Sequence, residues 1–283
     1  MARILVIAKT PLTERLSSGE LTRLRDSGVV DPEALAGAAA RHAAAMAAVR
    51  AALAGHEWRL CPLEAVRPGA PADADLVLTV GGDGTVLTAA TLTGGMPFLT
   101  VNSDPIGSVG HYTRCRAETL AAALAAWRTG RCPVRELARL DLVHRGVRDT
   151  FLNDCLFANP NPAAVCRHRI ETPDGASVLR SSGVWVSTAT GSTGAIRSAG
   201  AQACTAPAAL LFKVREPFAP PPGALLEGRQ IPPAWLRLAP AAGGAVCWLD
   251  GPMREVPVAP GEVVVIEPSP HPLRLLEPGS ADA

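Results

Sequence analysis

The chain has 283 residues, enough for one large domain or two modest ones with a substantial core. An apolar content of 48% excludes a disordered chain, and a formal net charge of +1 with 4% aromatic residues argues against bulk electrostatic binding to nucleic acid or membranes and against stacking platforms for single strands. The seven cysteines are odd in number and contain no C-x-x-C pair, which favours buried free thiols in a reducing compartment over a metal site or a disulfide framework. No stretch approaches the roughly 20 apolar residues of a transmembrane helix, and the apolar run near the N-terminus is too short for a signal peptide, so a cytoplasmic protein is expected.

In chain order, "RILVIA" (3–8) is short, continuous and β-branched, the pattern of a buried strand. Polar sequence follows to Asp31, with no element expected. Alanine-rich residues 32–54 predict a helix, with Gly55 placed to end it. Residues 57–63 predict a second strand, and residues 74–80 a third that runs straight into Gly81. A helical run after the glycines ends at Gly94-Gly95. A strand at 97–102 and a helix at 116–130 follow. This alternation predicts an α/β N-terminal domain with a parallel, doubly wound sheet over residues 1–118. Beyond about Cys132 the chain turns to short strand-like runs separated by turn signals. They predict a mostly-β C-terminal domain over residues 119–283, whose last residues return to the first domain. The proline-rich stretch 217–233 reads as a surface loop, and Trp185, Trp235 and Trp248 as β-domain core.

The segment "VGGDGT" (80–85) sits where a buried strand gives way to a helix. In open α/β sheets this is where ligands bind, and glycines there let backbone N–H groups approach phosphate oxygens. Asp83 would repel phosphate in a pure anion cradle. It makes sense as the acceptor of a proton from an attacking hydroxyl, or as a group that helps hold a phosphate-bridging Mg²⁺. Read locally, a tight turn with Asp83 as helix N-cap fits equally well. The chain lacks both G-x-x-x-x-G-K-[ST] and a G-x-G-x-x-G after the first strand, so neither a P-loop nor an ordinary dinucleotide site is supported.

Downstream come "TVNSDPIGSVGHY" (100–112), "FLNDCLF" (151–157), "SSGVWVSTATGSTGAIRSAG" (181–200) and "WLDGP" (248–252). In this order, and across nearly the whole chain, they resemble the NAD kinase family. The likeness is closest to its mitochondrial-type branch, through "VIAKT", "RHAAAM", "SSG" and "REPF". The resemblance implies an α/β domain and a β-rich domain with the active site between them. The implied reaction is ATP-dependent phosphorylation of the 2′-hydroxyl on the adenosine ribose of NAD, with Mg²⁺ bridging the donor phosphates and no metal held by a dedicated protein site. Asp83 would be the general base, and Gly81, Gly82, Gly84 and Thr85 would shape the phosphate loop with Asn102 nearby. Asn153 and Asp154 would hold the NAD ribose; Thr190, Gly191, Ser192, Thr193 and Ser198 would line the nucleotide site, and Asp250 with Gly251 would form the late Asp-Gly. The partners implied are small-molecule nucleotides, with no nucleic acid and no membrane, in a homodimer or homotetramer.

Three positions depart from the family pattern. Ser182 replaces an aspartate that contacts the nicotinamide end. Ala195 replaces a tyrosine that packs on adenine, which removes stacking of about 1 kcal/mol. His111 stands where phenylalanine is usual, as a candidate substrate contact. NADH in place of NAD, polyphosphate in place of ATP, a same-fold kinase for another nucleotide or a lipid, and a non-catalytic nucleotide sensor all stay open from sequence. Arg197 and Arg215 are candidate phosphate contacts.

Overall fold

Residues 3–8 form β1 (Arg3–Ala8), buried from Ile4 to Ala8, as expected of a parallel strand covered on both faces. The computed structural model describes residues 2–206, 210–232 and 234–278. β1 pairs in parallel with β2 (Glu57–Pro62) on one side and β3 (Leu76–Gly81) on the other. β4 (Phe98–Asn102) continues the parallel sheet beyond β3. Strand Leu273–Leu276 joins β4, also in parallel, and Val134–Leu137 closes the six-stranded sheet. The chain leaves β1 for β2 on one side, and leaves β3 for β4 on the other. The strand order therefore reverses between β1 and β3.

The 32–54 helix is α1 (Pro32–Ala52). It starts with Pro32 in the first turn and the Asp31 carboxylate accepting the Glu33 amide, and Gly55 follows it at φ 79°. Two helices in the polar segment, Leu12–Arg15 and Ser18–Asp26, were not expected. Neither has a buried residue, so there is no apolar stripe to read. The available signal was local: Ser17 and Glu20 form a capping box. The other helices are α2 (Asp83–Ala89) and α3 (Leu120–Arg128).

The chain divides into a unit running to Glu136 and resuming at Arg274, and a second unit, Leu137–Leu273. The expected limit at 118/119 falls instead inside the helical turn Ala117–Thr119 that leads into α3. Leu120, Ala123 and Leu124 of α3 join Val6, Leu78 and Leu99 in the first unit's core, which keeps α3 with that unit.

The second unit consists of two six-stranded sheets, antiparallel in every pairing. One has β5 (Asp154–Ala158) at its centre, between β6 (Gly183–Thr188) and β7 (Ala245–Leu249). Both sheets feed one core: Phe157, Val184, Val186 and Cys247 from this sheet meet Leu142, Ile170, Leu236 and Ile266 from the other. Two expectations fail here. Glu227–Gln230, within the proline-rich stretch, is a strand paired with Leu210–Arg215. Gly228 permits it, since a Cβ there would lie 2.5 Å from the Phe212 ring. The three tryptophans are half-exposed rather than core. Trp185 and Trp248 alternate along their strands with buried neighbours, which puts them on the other face, and Trp235 lies under the Arg237 guanidinium at 4.6 Å. Among the described residues no helix is long and apolar enough to cross a membrane.

Candidate active site

β3 ends at Gly81 and α2 begins at Asp83, so the helix cap is Gly82, which has no side chain to offer. Asp83 is the first helical residue and not the N-cap, which removes the local alternative for its carboxylate. That carboxylate reaches across to the loop after β4: Oδ2 accepts from the His111 amide at 2.9 Å and Oδ1 from the Tyr112 amide at 2.7 Å. Asp83 is half-exposed, and each oxygen keeps acceptor capacity beyond its amide.

The glycines beside it serve close packing. A Cβ on Gly81 would sit 2.1 Å from the Thr85 hydroxyl, and one on Gly82 would sit 2.7 Å from the Ser108 hydroxyl. Gly84 is exposed with open space around it, whereas Thr85 is buried against Gly81. Asn102 stands level with Gly81 in the β3–β4 register. Its Oδ1 accepts the Asp104 amide at 3.0 Å, and its backbone N–H donates to the Cys115 carbonyl at 2.9 Å. Gly110, at φ 72°, packs against the Asn102 amide group, where a Cβ would approach to 2.8 Å. The side chain of His111 is exposed, and only its backbone meets Asp83.

Further along the same edge, the His42 ring of α1 lies 2.9 Å from the Ser103 hydroxyl, and Arg41 pairs with Asp104 at 2.7 Å. Burial lowers the His42 pKa, and the charge of Lys9 lowers it further. Burial acts to raise the Asp104 carboxyl, but Arg41, the Gly107 amide and Lys9 together hold it below the usual carboxylate range.

In the second unit Asn153 and Asp154 open β5, and Asp250 follows β7 with φ 52°, a left-handed conformation that aspartate tolerates better than most residues. Its side chain is 3% exposed and is committed to backbone. Oδ2 accepts from Leu152 at 2.8 Å, and Oδ1 accepts from Asn153 at 2.6 Å and from Asp154 at 3.2 Å. Asp250 thus fixes the bend that presents Asn153 and Asp154. Burial raises its pKa, against the pull of these three amides and of Arg254. The Asn153 side-chain amide donates to Asp154 Oδ2 at 2.8 Å. Asp154 is 6% exposed. Burial, with the charge of Asp250, raises its carboxyl to about 7 despite the Ala195 amide and the Asn153 side chain.

The segment after β6 closes on this bend. The hydroxyls of Ser187 and Thr188 donate to the carbonyls of Asn153 and Leu152. Gly191 lies so near that a Cβ would be 2.1 Å from the Asn153 carbonyl. At Gly194 a Cβ would fall 3.2 Å from the Asn153 amide nitrogen and 3.5 Å from Asp154 Oδ2. Thr190 to Thr193 form a single helical turn. Ser192 is buried, and its hydroxyl accepts the Cys204 amide at 2.9 Å, so it braces the scaffold. Thr193 and Ser198 are exposed, and the Ser198 hydroxyl donates to the Ala195 carbonyl.

Asn153, Asp154, Gly191 and Asp250 therefore converge in the second unit. Gly81, Gly82, Asp83, Thr85 and Asn102 converge in the first. Ser182 and Arg215 line a cavity of about 460 Å³ with Trp185, Trp248 and Gly251, the residue after Asp250, and Arg197 is exposed.

The family model described as the ATP-NAD kinase N-terminal domain matches residues 22–132. A NAD kinase of Leifsonia xyli is 34% identical over 221 residues, which cover 74% of this chain and 71% of that protein. The chain belongs to the NAD kinase family. A probable NADH kinase of Oryza sativa is 35% identical over 173 residues, 52% of this chain and 53% of its own; over this and other curated relatives the chain spans about half their length. A crystal structure of an Archaeoglobus fulgidus NAD kinase in complex with ATP superimposes with a TM-score of 0.65 at 20% identity, covering 96% of this chain and 92% of that one, and so shares the fold.

Proposed function

We propose that the protein is an ATP-dependent kinase that phosphorylates the 2′-hydroxyl on the adenosine ribose of NAD. The observation that carries this reading is Asp83, at the carboxyl end of β3, with its carboxylate aimed by the His111 and Tyr112 amides. The ribose oxygen forms a bond to the γ-phosphorus while the bond from that phosphorus to the β,γ-bridging oxygen breaks. The hydroxyl proton passes to the Asp83 carboxylate, and ADP leaves.

Gly84 leaves backbone near the phosphates unobstructed, while Gly81, Gly82, Thr85 and Asn102 set the shape of the loop. Mg²⁺ arrives as part of the triphosphate substrate. Asn153 and Asp154 recognise ribose hydroxyls, since an amide and a carboxyl offer both donors and acceptors to a vicinal diol. Asp250 acts through their backbone, Gly191 and Ser192 act as scaffold, and Thr190, Thr193 and Ser198 supply hydroxyls along the nucleotide. ATP and NAD complexes, a cytoplasmic location and a homodimer or homotetramer complete the proposal.

The test is incubation with ATP, Mg²⁺ and NAD, reading NADP, beside the Asp83→Asn variant. A panel with NADH, other adenosine-containing acceptors and polyphosphate donors fixes the acceptor and donor classes. No phosphorylated product from any adenosine-containing acceptor would overturn the reading in favour of a nucleotide sensor.

A further inference from the structure

The reversal of strand order between β1 and β3 leaves a crevice at the carboxyl edge of the first unit's sheet, because the loops leaving these two strands part in opposite directions. The Gly81–Asp83 loop is one wall. The other wall begins at Lys9, the first residue past β1. Its amide donates to the Val80 carbonyl at 3.1 Å, which holds it level with the start of the glycine loop.

Lys9 is one of only two lysines among 27 lysines and arginines. The other, Lys213, is paired with Glu227. Lys9 has no ion pair among the described residues. The arginines around this edge are already engaged: Arg41 with Asp104, Arg15 with Glu64, and Arg50 over the Trp58 ring. Lys9 is half-buried and lines a cavity of about 410 Å³ with Thr10, Glu14, His42, Met46 and Arg50. Its charge is felt at both His42 and Asp104, one on α1 and one on the loop after β4. The segment that carries Lys9 is braced, since the His42 ring donates to the Lys9 carbonyl and also meets Ser103.

We infer that Lys9 binds the terminal phosphates of the donor triphosphate, on the wall of the crevice opposite the glycine loop. The inference rests on the kinase reading above and names the side chain that neutralises donor charge. A half-buried ammonium with no ion pair among the described residues is a strong point charge for phosphate, and its flexible stem lets it follow the γ-phosphoryl group as charge redistributes.

Calorimetric titration of the full chain with ATP and with inorganic triphosphate tests this, using Lys9→Met, Lys9→Gln and Lys9→Arg. Loss of the ammonium is expected to weaken both ligands at least about tenfold, a difference of about 1.4 kcal/mol. Lys9→Arg should restore part of the loss, and NAD affinity should stay within about twofold of the parent. Unchanged melting temperature shows that the variants fold, and Lys9→Gln stands in should Lys9→Met not. A folded variant that binds triphosphate as tightly as the parent overturns the inference, as does a parent that binds no triphosphate. Lys9-dependent triphosphate binding without NADP formation would overturn the kinase reading alone. NADP formation with a KM for ATP indifferent to Lys9 would overturn this inference alone.

Discussion

Each unit places an aspartate at the start of a regular element, and the two are used in opposite ways. Asp83 of the first unit is half-exposed and takes one amide on each oxygen from a loop 28 and 29 residues away, which leaves each oxygen further acceptor capacity. Asp154 of the second unit is buried beside Asp250, and its carboxyl keeps a proton up to about pH 7. Environment, not residue type, decides the role. A carboxylate aimed at the surface suits proton abstraction, whereas a buried acid that shares its bend with a second aspartate suits hydrogen-bond recognition of hydroxyls.

The sharpest way to break this contrast is to remove the second unit's clamp. Asp250→Ala strands three backbone amides and removes one of the two carboxylates that face Arg254, leaving it Asp149, so urea titration should show a loss of about 3 kcal/mol or more. Asp250→Asn should recover part of it, because asparagine tolerates positive φ and keeps one acceptor oxygen. Next in size is Asp83→Asn, expected to lower the rate of NADP formation at least about a hundredfold, close to 2.7 kcal/mol, with little change in melting temperature. If Asp83→Asn instead cost stability and spared turnover, the two aspartates would be doing the same structural job and the comparison would collapse.

Asp154 gives a smaller, pH-dependent effect. Its folded value, about 7, lies above the ordinary 3.8. As pH rises between these values the unfolded chain gives up the proton first, so the folded state of the ligand-free protein loses stability, by at most about 1.4 kcal/mol per pH unit. Thermal melts over this window should fall with pH for the parent and stay flatter for Asp154→Asn; parallel curves would place the proton elsewhere. The smallest effect sharpens the first unit's half. Gly82→Ala should cost about 1 kcal/mol, because the new methyl meets only the Ser108 hydroxyl, and Gly82→Ala with Ser108→Ala should regain it. Differential scanning of both variants reads this directly.

What the sequence made legible follows burial and punctuation. The continuous apolar runs at 3–8 and 74–80 and the alanine-rich run before Gly55 all became the expected elements, because parallel strands and core helices carry dense apolar signals. The surface helices Leu12–Arg15 and Ser18–Asp26 carry none. Among site residues, the Gly-Gly-Asp-Gly loop was visible as a cluster, yet the partners of Asp83 were not, since backbone amides 28 and 29 residues away leave no mark on side-chain pattern. Asp250 was visible as part of the late Asp-Gly, but its partners were not, since the Leu152, Asn153 and Asp154 amides lie 96 to 98 residues earlier. Half-burial of Trp185 and Trp248 escaped because a large aromatic in a strand reads as core until its face is known.

The second unit is an insertion: the chain leaves the first sheet through Val134–Leu137 and re-enters it through the adjacent strand Leu273–Leu276. During synthesis β4 therefore waits with an open hydrogen-bonding edge until residue 276 has emerged, while all of Leu137–Leu273 is made and folded. A nascent chain in that interval exposes an unpaired parallel edge to its neighbours on the polysome, so the danger of misassembly peaks late, after most of the molecule is already native.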